Sequence, residues 1–150
     1  MDVILEGLFV GREVCSAVFS RVCEQYRLTM TELLVLLFLA DNAEPDTAHA
    51  LVEKLKIAKS HVSSSVHDLE KRGYLVGHHT GKDHKTIHLR LCPAAEEIVR
   101  EARAAQRMLR SILTRGFDEA EQTLLLDFLR CMIKNGNDCL HGQPGTEEQA

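Results

Sequence analysis

The sequence predicts a mostly helical fold that carries one small β-hairpin. Six stretches of the chain have helical patterns: in five the apolar residues recur every three or four positions, the spacing of a helix buried on one face, and the second is strongly apolar. Between the fourth and fifth stretches the spacing changes to strict alternation, which is typical of a half-buried strand. The chain has 150 residues, 45% of them hydrophobic, enough for one substantial core. We expect a single domain over residues 1–140 and a flexible tail over 141–150.

The first predicted helix covers residues 3–26. Its apolar positions fall mostly three or four apart: Ile4, Leu8, Cys15, Val18, Phe19, Val22 and Tyr26. The segment Leu28–Glu32 predicts a break, where Thr29 or Thr31 can cap the next helix. That second helix, over residues 31–40, is strongly apolar but too short to cross a bilayer, so we expect it to be buried.

A loop-like composition over residues 41–46 separates the second helix from a third. Either Asp46 or Thr47 can cap the third helix, which we expect to end near Lys56. One face of this helix is apolar, with Ala48, Leu51, Val52 and Leu55. The third helix and the next one are both short, and a tight turn joins them.

The fourth predicted helix, over residues 60–72, has two faces of different chemistry. A narrow inward stripe is formed by Val62, Val66 and Leu69. At about 100° per residue, five polar residues share the opposite face: Ser60, Ser63, Ser64, His67 and Lys71, with His61 on a flank. No acidic residue lies on this outward face. Gly73 is expected to follow the C-cap of the helix.

A β-hairpin is predicted over residues 74–91. Tyr74–Val76 predicts a short strand, and a polar segment centred on Gly81 follows it. The returning segment, Thr86–Leu91, alternates strictly between apolar and polar residues. The alternation places Ile87, Leu89 and Leu91 on one face, and Thr86, His88 and Arg90 on the other.

Two further helices are predicted after the hairpin. Pro93 opens a long one, whose apolar positions have the spacing of a helix that packs along another helix: Ile98, Ala102, Ala105, Leu109 and Ile112. Phe117–Glu121 has the apolar residue, the Asp cap and the following acid that begin a helix. We expect this last helix to end over Asn135–Asp138. Four of its apolar residues are expected to face inward: Leu124, Leu125, Phe128 and Met132.

Charge is distributed unevenly along the chain. The formal net charge is −4, but the segment from Lys54 to Arg90 holds eight Lys/Arg against three Asp/Glu, a net +5, which leaves −9 for the other residues. A basic centre between acidic flanks favours a polyanion as the partner of one face, although a solvated surface gives the same pattern. Because no apolar span reaches membrane length and the N-terminus lacks a basic signal region, we expect a cytoplasmic protein without a membrane partner.

Two short helices joined by a tight turn and followed by a hairpin predict a winged helix-turn-helix, in which the hairpin is the wing. In that fold the outward face of residues 60–72 suits the major groove of double-stranded DNA, and flanking lysines neutralise phosphates. The candidate DNA-binding residues are Lys56, Lys59, Ser60, His61, Ser63, Ser64, His67, Lys71, Lys82, His84 and Lys85. The alternative is a winged-helix protein-interaction module that does not bind DNA.

Three segments carry a resemblance to a known family. Residues 47–63 (TAHALVEKLKIAKSHVS), residues 69–75 (LEKRGYL) and the wing residues 83–85 (DHK) together resemble the MarR family of bacterial transcriptional regulators. The family wing commonly has Asp-Arg-Arg, with an arginine that reaches into the minor groove. Here Lys85 keeps the positive charge but lacks the planar guanidinium, so the resemblance implies weaker or less shape-selective recognition of the minor groove.

The resemblance implies a winged helix-turn-helix over about residues 28–92, with dimerisation helices over 1–27 and 93–140. It further implies an obligate homodimer that binds a pseudo-palindromic operator and usually represses transcription. Many members of the family release DNA when a small phenolic compound, an oxidant or a metal binds between the dimerisation and DNA-binding lobes. We expect a small-molecule effector, and a redox- or metal-responsive regulator of the same fold is the alternative.

The stretch from His78 to Leu89 (HHTGKDHKTIHL) holds four of the eight histidines. A metal site needs three or four convergent ligands. His78 and His79 are adjacent, so on a strand they point to opposite faces, and no nearby cysteine completes a set. We therefore expect solvated, DNA-facing wing residues and neither a metal nor another cofactor. Phosphate contacts that depend on pH, and a metal site, are the alternatives.

Five cysteines at wide spacing, without a C-x-x-C pair, predict reduced and mostly buried thiols. We expect Cys15 to pack in the core, on the apolar face of the first helix. A redox role for Cys15 is the alternative, because a peroxide-sensing branch of the resembled family places a reactive cysteine on the first helix. No enzymatic activity is expected, since the sequence has no G-x-S-x-G, no Gly-rich phosphate loop and no H-E-x-x-H.

Overall fold

The computed structural model describes residues 1–41, 46–81 and 83–142, without the side chains of Asp83 and His84. Two candidate DNA-binding side chains, those of Lys82 and His84, therefore lie outside the described part of the chain, and so do residues 143–150 of the predicted tail. Contacts within the chain define two units, residues 1–110 and residues 111–150. The single domain over residues 1–140 stays a prediction.

Over the described residues the chain forms six α-helices and one antiparallel pair of strands. The helices are α1 (Val3–Tyr26), α2 (Met30–Asp41), α3 (Ala48–Leu55), α4 (Lys59–Lys71), α5 (Glu96–Leu113) and α6 (Glu119–Leu140). Strands β1 (Leu75–Thr80) and β2 (Asp83–Leu91) follow α4, and a 3₁₀ turn over Pro93–Ala95 leads into α5. The predicted mostly helical fold with one β-hairpin is confirmed.

Threonine caps determine where α2 and α3 begin. Thr29 Oγ1 accepts the Glu32 N–H at 3.1 Å, and Glu32 Oε2 accepts the Thr29 N–H at 2.6 Å. At α3, Thr47 Oγ1 accepts the Ala50 N–H at 3.2 Å. Of the alternatives that the sequence offered, Thr29 and Thr47 are thus the caps. Each cap of this kind stabilises its helix by about 1 kcal/mol.

Helix α4 ends in a Schellman motif at Gly73. The Gly73 N–H donates to the Glu70 carbonyl at 3.0 Å, and the Tyr74 N–H donates to the Leu69 carbonyl at 3.0 Å. Gly73 has a φ of 77°, a backbone conformation that costs glycine little and most other residues more. The predicted end of the helix is confirmed, and the motif turns the chain directly into β1.

The core of the first unit surrounds α2. Leu33, Val35 and Leu36 of α2 are 0% exposed and lie on several sides of the helix, which explains its lack of a polar face. Leu51 of α3 and Leu69 of α4 are also 0% exposed and belong to the same cluster. Burial of each such side chain contributes about 1.5–3 kcal/mol. This core fixes the positions of α3 and α4, and it lies on the side of α4 opposite its outward face.

The hairpin has the predicted extent, but its two strands are longer than the sequence predicted. β1 continues through two histidines to Thr80 instead of ending at Val76, and β2 begins at Asp83. The sequence did not predict these added residues because they are polar and do not alternate with apolar ones. Backbone pairing, and not the alternation of side chains, sets the length of a two-stranded ribbon. Ile87 was expected to face inward with Leu89, yet Ile87 is 50% exposed while Leu89 is 4% exposed. From Leu89 toward its tip, the hairpin therefore projects away from the core.

Helix α6, in the second unit, also departs from the prediction. It continues to Leu140 through the predicted end at Asn135–Asp138, where Lys134 and Asp138 form an ion pair of 2.7 Å one turn apart. Among its described residues none is buried. Three of the four apolar residues expected to face inward are largely exposed: Leu124 (52%), Phe128 (58%) and Met132 (48%). The inward orientation was wrong for these three residues, which form an exposed apolar stripe along α6.

Candidate nucleic-acid interface

The polar face of α4 is held outward by the apolar stripe behind it. Val62 and Leu69 are 0% exposed, and Val66 beside them is half-buried. The candidate residues of the opposite face are all exposed: Ser60, His61, Ser63, Ser64, His67 and Lys71. Serine side chains are short enough to let a helix approach DNA closely, and their hydroxyls can bond to phosphates or base edges.

The N-terminus of α4 is open to an anion. Its N-cap residue, Ala58, offers no side-chain acceptor, and the first turn of the helix contains no acid. The positive end of the helix dipole is therefore not neutralised by a capping side chain or by an acid of its first turn. Lys56 and Lys59, both exposed, lie on either side of this start. A phosphate oxygen is the ligand that such a terminus favours.

The turn between α3 and α4 consists of residues 56–58. Lys56 ends α3 in the left-handed conformation, with a φ of 54°, and its N–H donates to the Val52 carbonyl at 3.1 Å. Ile57 is half-buried and packs against the core, whereas Lys56 stays exposed. The two helices are thus joined as the sequence predicted, and α4 begins next to exposed positive charge.

The wing follows α4 directly. Leu75 pairs with Leu91, Gly77 with Leu89 and His78 with His88, and an irregularity separates these pairs from the last one, Thr80 with Asp83. Gly81, at the tip, has a φ of 55°, which suits a tight hairpin turn. Lys85 is exposed on β2, close to the tip. The described part of the wing therefore presents the positive charge of Lys85 to solvent.

Residues 28–85, which hold this helix-turn-helix and most of the wing, match the sequence model of the MarR family. This segment is similar in sequence to the MarR family, and it has the winged helix-turn-helix described above. The resemblance that the sequence carried over residues 47–63 and 69–75 is thereby confirmed. None of the curated proteins matches the chain.

Solved structures with the same fold include MarR-family and SlyA-like transcriptional regulators. The transcriptional regulator SlyA superposes with a TM-score of 0.82 at 15% identity, over 95% of this chain and 100% of that one. A putative MarR-family transcriptional regulator from Listeria monocytogenes, solved in complex with a 26mer DNA, has a TM-score of 0.82 at 18% identity, over 100% and 99% of the two chains. BpsR from Bordetella bronchiseptica, whose DNA binding is regulated by 6-hydroxynicotinic acid, has a TM-score of 0.67 at 21% identity, over 83% and 89%.

In this winged helix, Asp46 joins the returning wing strand to the start of α3. The Asp46 carbonyl accepts the Leu89 N–H at 2.8 Å, and its Oδ1 lies 2.5 Å from His88 Nδ1. Thr47, the cap of α3, forms an isolated β-bridge with His88. The side chains of Asp46 and His88 are only 18% and 25% exposed, so the pair is partly shielded from water.

The histidines of the wing differ from one another in their surroundings. His78 and His88 are half-buried, with ring centroids 5.8 Å apart, and His78 Nδ1 is buried without a hydrogen-bond partner in the described chain. His79 is exposed, and its Nδ1 lies 3.2 Å from the Thr86 carbonyl. The expectation that the wing histidines are solvated is therefore wrong for His78 and His88, which are half-buried, whereas the orientation of the wing histidines toward DNA stays a prediction.

Two charged residues at the end of α4 hold the helix to its neighbours. Glu70 Oε1 accepts the Gly77 N–H of β1 at 3.0 Å. The Arg72 guanidinium donates to the Tyr26 and Arg27 carbonyls at 2.5 and 2.8 Å, and it lies 5.0 Å from the centre of the Tyr74 ring. Arg72 therefore caps the C-terminus of α1, and we do not place it among the DNA-binding residues.

Sequence reasoning missed Asp46, Glu70 and Arg72 as organisers of the interface. Their partners lie 42, 7 and 45 or 46 positions away in sequence. Periodicity cannot detect such pairs, since it compares residues within one element. The only local signal was that Glu70 and Arg72 immediately precede the predicted helix end at Gly73. Residues in this position lie close to the next element.

The cysteines are less buried than the sequence predicted. Cys15, Cys23 and Cys92 are half-buried, Cys131 and Cys139 are exposed, and all five are free thiols. Burial raises the pKa of the Cys23 thiol, and the negative charges of Glu32 and Glu24 raise it further. Cys23 is therefore a poor nucleophile near neutral pH, because the thiolate is the reactive form.

We expect Cys131 to react with iodoacetamide at least about tenfold faster than Cys23 in the native protein at pH 8, since Cys131 is exposed and the pKa of Cys23 is raised. Peptide mass spectrometry after brief labelling measures both rates in one sample. Labelling in denaturant, where burial is absent, should bring the two rates together. Equal rates in the native protein would contradict the shielding of Cys23.

Among the described residues, no group of three or more His, Cys, Asp or Glu side chains is placed to hold a metal ion. The same part of the chain contains no helix that is both long enough and apolar enough to cross a membrane.

Proposed function

We propose that the chain is a sequence-specific, DNA-binding transcriptional regulator of the cytoplasm, which binds a pseudo-palindromic operator as a homodimer and represses by occupying it. The observation that carries this proposal is the outward face of α4, which is exposed, bears serines and a lysine, and contains no acid from Ser60 to Lys71. Asp68 and Glu70 lie about 80° from the centre of that face at 100° per residue. Glu70 is moreover engaged by the Gly77 N–H.

Electrostatics supports DNA as the partner of this face. Lys56 and Lys59 flank the open N-terminus of α4, and Lys85 lies on the wing. Each phosphate that a lysine neutralises releases a counterion, so binding is expected to weaken steeply as salt rises. The full set of residues that we propose to contact DNA is Lys56, Lys59, Ser60, His61, Ser63, Ser64, His67, Lys71, Lys82, His84 and Lys85.

Exposed apolar side chains support the homodimer. The first helical turns of α1 expose Ile4, Leu8 and Phe9 by 59%, 61% and 51%. In the second unit, α6 exposes Phe128 and Ile133 by 58% and 63%. Clusters of exposed apolar side chains on a helix are typical of protein interfaces. A two-fold dimer presents two copies of α4, so its operator is expected to be pseudo-palindromic.

We propose a small phenolic compound as the effector that releases the DNA. A cavity of about 280 Å³ lies between α1 and α5. Val18, Val22 and Met108 form an apolar wall that suits an aromatic ring, and the Arg21 guanidinium suits a carboxylate. Glu101, on the same wall, accepts the Tyr26 hydroxyl at 2.9 Å. A ligand in this cavity would contact α1, and the C-terminus of α1 is bonded to Arg72 beside α4.

Fluorescence anisotropy with the DNA upstream of the protein's own coding sequence tests the proposal. Binding is expected to be tighter to this DNA than to a shuffled duplex of the same composition, and log K should fall linearly with log salt. A protein that shows no salt-dependent preference for the upstream DNA would be the interaction module instead of the regulator.

Lys85→Ala is expected to weaken binding several-fold on every DNA sequence, because Lys85 is proposed to contact phosphate and not a base. The slope of log K against log salt should decrease in magnitude by about one. Lys134→Ala is the matched control, since Lys134 is an exposed lysine of α6 that is paired with Asp138. An unchanged slope in Lys85→Ala would remove Lys85 from the interface.

A further inference from the structure

We propose that Asp46 and Glu70 are positioning residues that clamp the wing to the helix-turn-helix, one strand each. Glu70 belongs to α4 and holds β1, whereas Asp46 precedes α3 and holds β2. Together they fix the position of the wing relative to the outward face of α4, so that both reach DNA at once. This inference rests on the proposed function, and it identifies residues that act through the wing without touching DNA.

The Glu70 arm joins the C-terminal part of α4 to β1 through one hydrogen bond. Its Oε1 accepts the Gly77 N–H at 3.0 Å. A charged acceptor makes such a bond stronger than a neutral one. Because Glu70 lies on the flank of the outward face, the same bond also directs its negative charge toward the wing and away from approaching phosphates.

Gly77 is the residue that permits this close approach. A Cβ atom at this position would lie 2.9 Å from Ile87 Cγ2, 3.5 Å from Glu70 Oε1 and 3.9 Å from Leu89 Cδ2. The first of these distances is shorter than a carbon–carbon contact allows, since such contacts are most favourable at about 3.5–4.0 Å. A side chain at position 77 would therefore require the Ile87 side chain or β1 to shift, whereas its distance to Glu70 would be an ordinary contact.

The Asp46 arm holds β2 at two points. Its backbone carbonyl accepts the Leu89 N–H at 2.8 Å, and its carboxylate lies 2.5 Å from His88 Nδ1. Any residue at position 46 could make the backbone bond. The side-chain bond, in contrast, requires a side chain at position 46 that can bond to His88. The His78 ring packs beside His88 on the opposite strand, so the bonded His88 ring also contacts β1.

The two arms act where the wing leaves the core. Leu75 and Leu89, at its root, are 1% and 4% exposed, but Val76 and Ile87 are 39% and 50% exposed. A hairpin of two strands has little stability of its own in water, so its orientation depends on what holds its root. Gly77 pairs with Leu89 and His78 with His88, which places both arms on neighbouring rungs of the same hairpin.

A comparison of Glu70→Ala with Glu70→Gln tests the clamp. Both substitutions remove the negative charge and both residues favour helix, but only glutamine keeps an oxygen that can accept the Gly77 N–H. In the free protein, we expect the wing amides of residues 85–88 to exchange with deuterium at least about tenfold faster in Glu70→Ala than in Glu70→Gln. Equal exchange in the two variants would overturn the clamp, and this readout does not require DNA.

The positioning role is tested by introducing Lys85→Ala into both backgrounds and measuring binding to the upstream DNA. If the wing is held in place, Lys85→Ala should cost several-fold in the wild type and in Glu70→Gln. In Glu70→Ala its cost should fall below about twofold, because an unclamped wing no longer delivers Lys85 to phosphate. An equal cost in all three backgrounds would overturn the positioning role.

The two readouts separate failure of this inference from failure of the proposed function. Absence of salt-dependent DNA binding by the wild type would reject the DNA-binding proposal, and the positioning role with it, while deuterium exchange would still decide whether the clamp exists. Asp46→Ala against Asp46→Asn provides the second arm, since asparagine keeps an acceptor for His88. We expect the same order of exchange rates as at Glu70, measured on the amides of β2.

Discussion

Replacing Ser63 and Ser64 together by glutamate is expected to weaken operator binding by at least about a hundredfold, which corresponds to about 2.7 kcal/mol. Both serines are exposed on the outward face of α4. At that face a carboxylate would meet phosphates and base-edge acceptors of the same sign, and such juxtapositions cost several kcal/mol. The substitution should leave folding unchanged, because Val62 and Leu69, on the buried side of α4, are not altered. Fluorescence anisotropy on the upstream DNA measures the loss.

The matched control replaces the same two serines by glutamine, which adds the same bulk without charge. We expect the glutamine pair to retain more affinity than the glutamate pair by at least about tenfold, because the main penalty is electrostatic. Sedimentation of both variants should show the oligomeric state of the wild type. If the glutamate pair binds the operator within about twofold of the wild type, the outward face of α4 does not contact DNA.

The outward face could be predicted because it depends on a single helix. Val62, Val66 and Leu69 set the buried side, and the position of each serine then follows from about 100° per residue. The C-terminal end of α4 followed in the same way from Gly73, and the starts of α2 and α3 followed from candidate threonine caps, because such signals act within a few residues. For this reason the sequence alone located α4, its exposed side chains and the beginning of the wing.

The organisation of the wing root could not be predicted, because it depends on residues distant in sequence. Asp46 and His88 lie 42 positions apart, and no periodic pattern relates them. The contact between Gly77 and the Ile87 side chain depends on the register of the two strands. The alternation over Thr86–Leu91 shows the faces of one strand but not its register with the other. Sequence reasoning therefore assigned His88 to a solvated face, whereas two tertiary contacts hold it half-buried.

The prediction for α6 was incomplete for a different reason. Its apolar residues do form one stripe, as the spacing indicated, but a stripe does not state whether its own chain or another chain covers it. Leu124, Phe128 and Met132 are each about half exposed. Helices that are apolar on one side gain most of their stability by packing that side. We infer that a second copy of the chain covers the α6 stripe in the proposed homodimer.

Phe128→Asp is accordingly expected to dissociate the homodimer, raising its Kd by more than about a thousandfold. An unpaired charge buried at an interface costs about 3–5 kcal/mol, and a symmetric dimer buries it twice. Phe128 is 58% exposed in the single chain, so the substitution should change the fold of the monomer little. Sedimentation velocity over a range of concentrations measures the change, and operator binding should be lost together with the dimer, because each half-site alone binds weakly.

Thr123→Asp provides the control on the same helix. Thr123 is exposed and, at about 100° per residue, lies on the side of α6 opposite Phe128. The substitution adds the same carboxylate to the same helix, five residues from position 128, but outside the apolar stripe. We expect Thr123→Asp to sediment as the wild type does and to bind the operator with unchanged affinity. If both variants dissociate, added charge on α6 destabilises the dimer nonspecifically; if neither does, another surface forms the dimer and the α6 stripe has a different partner.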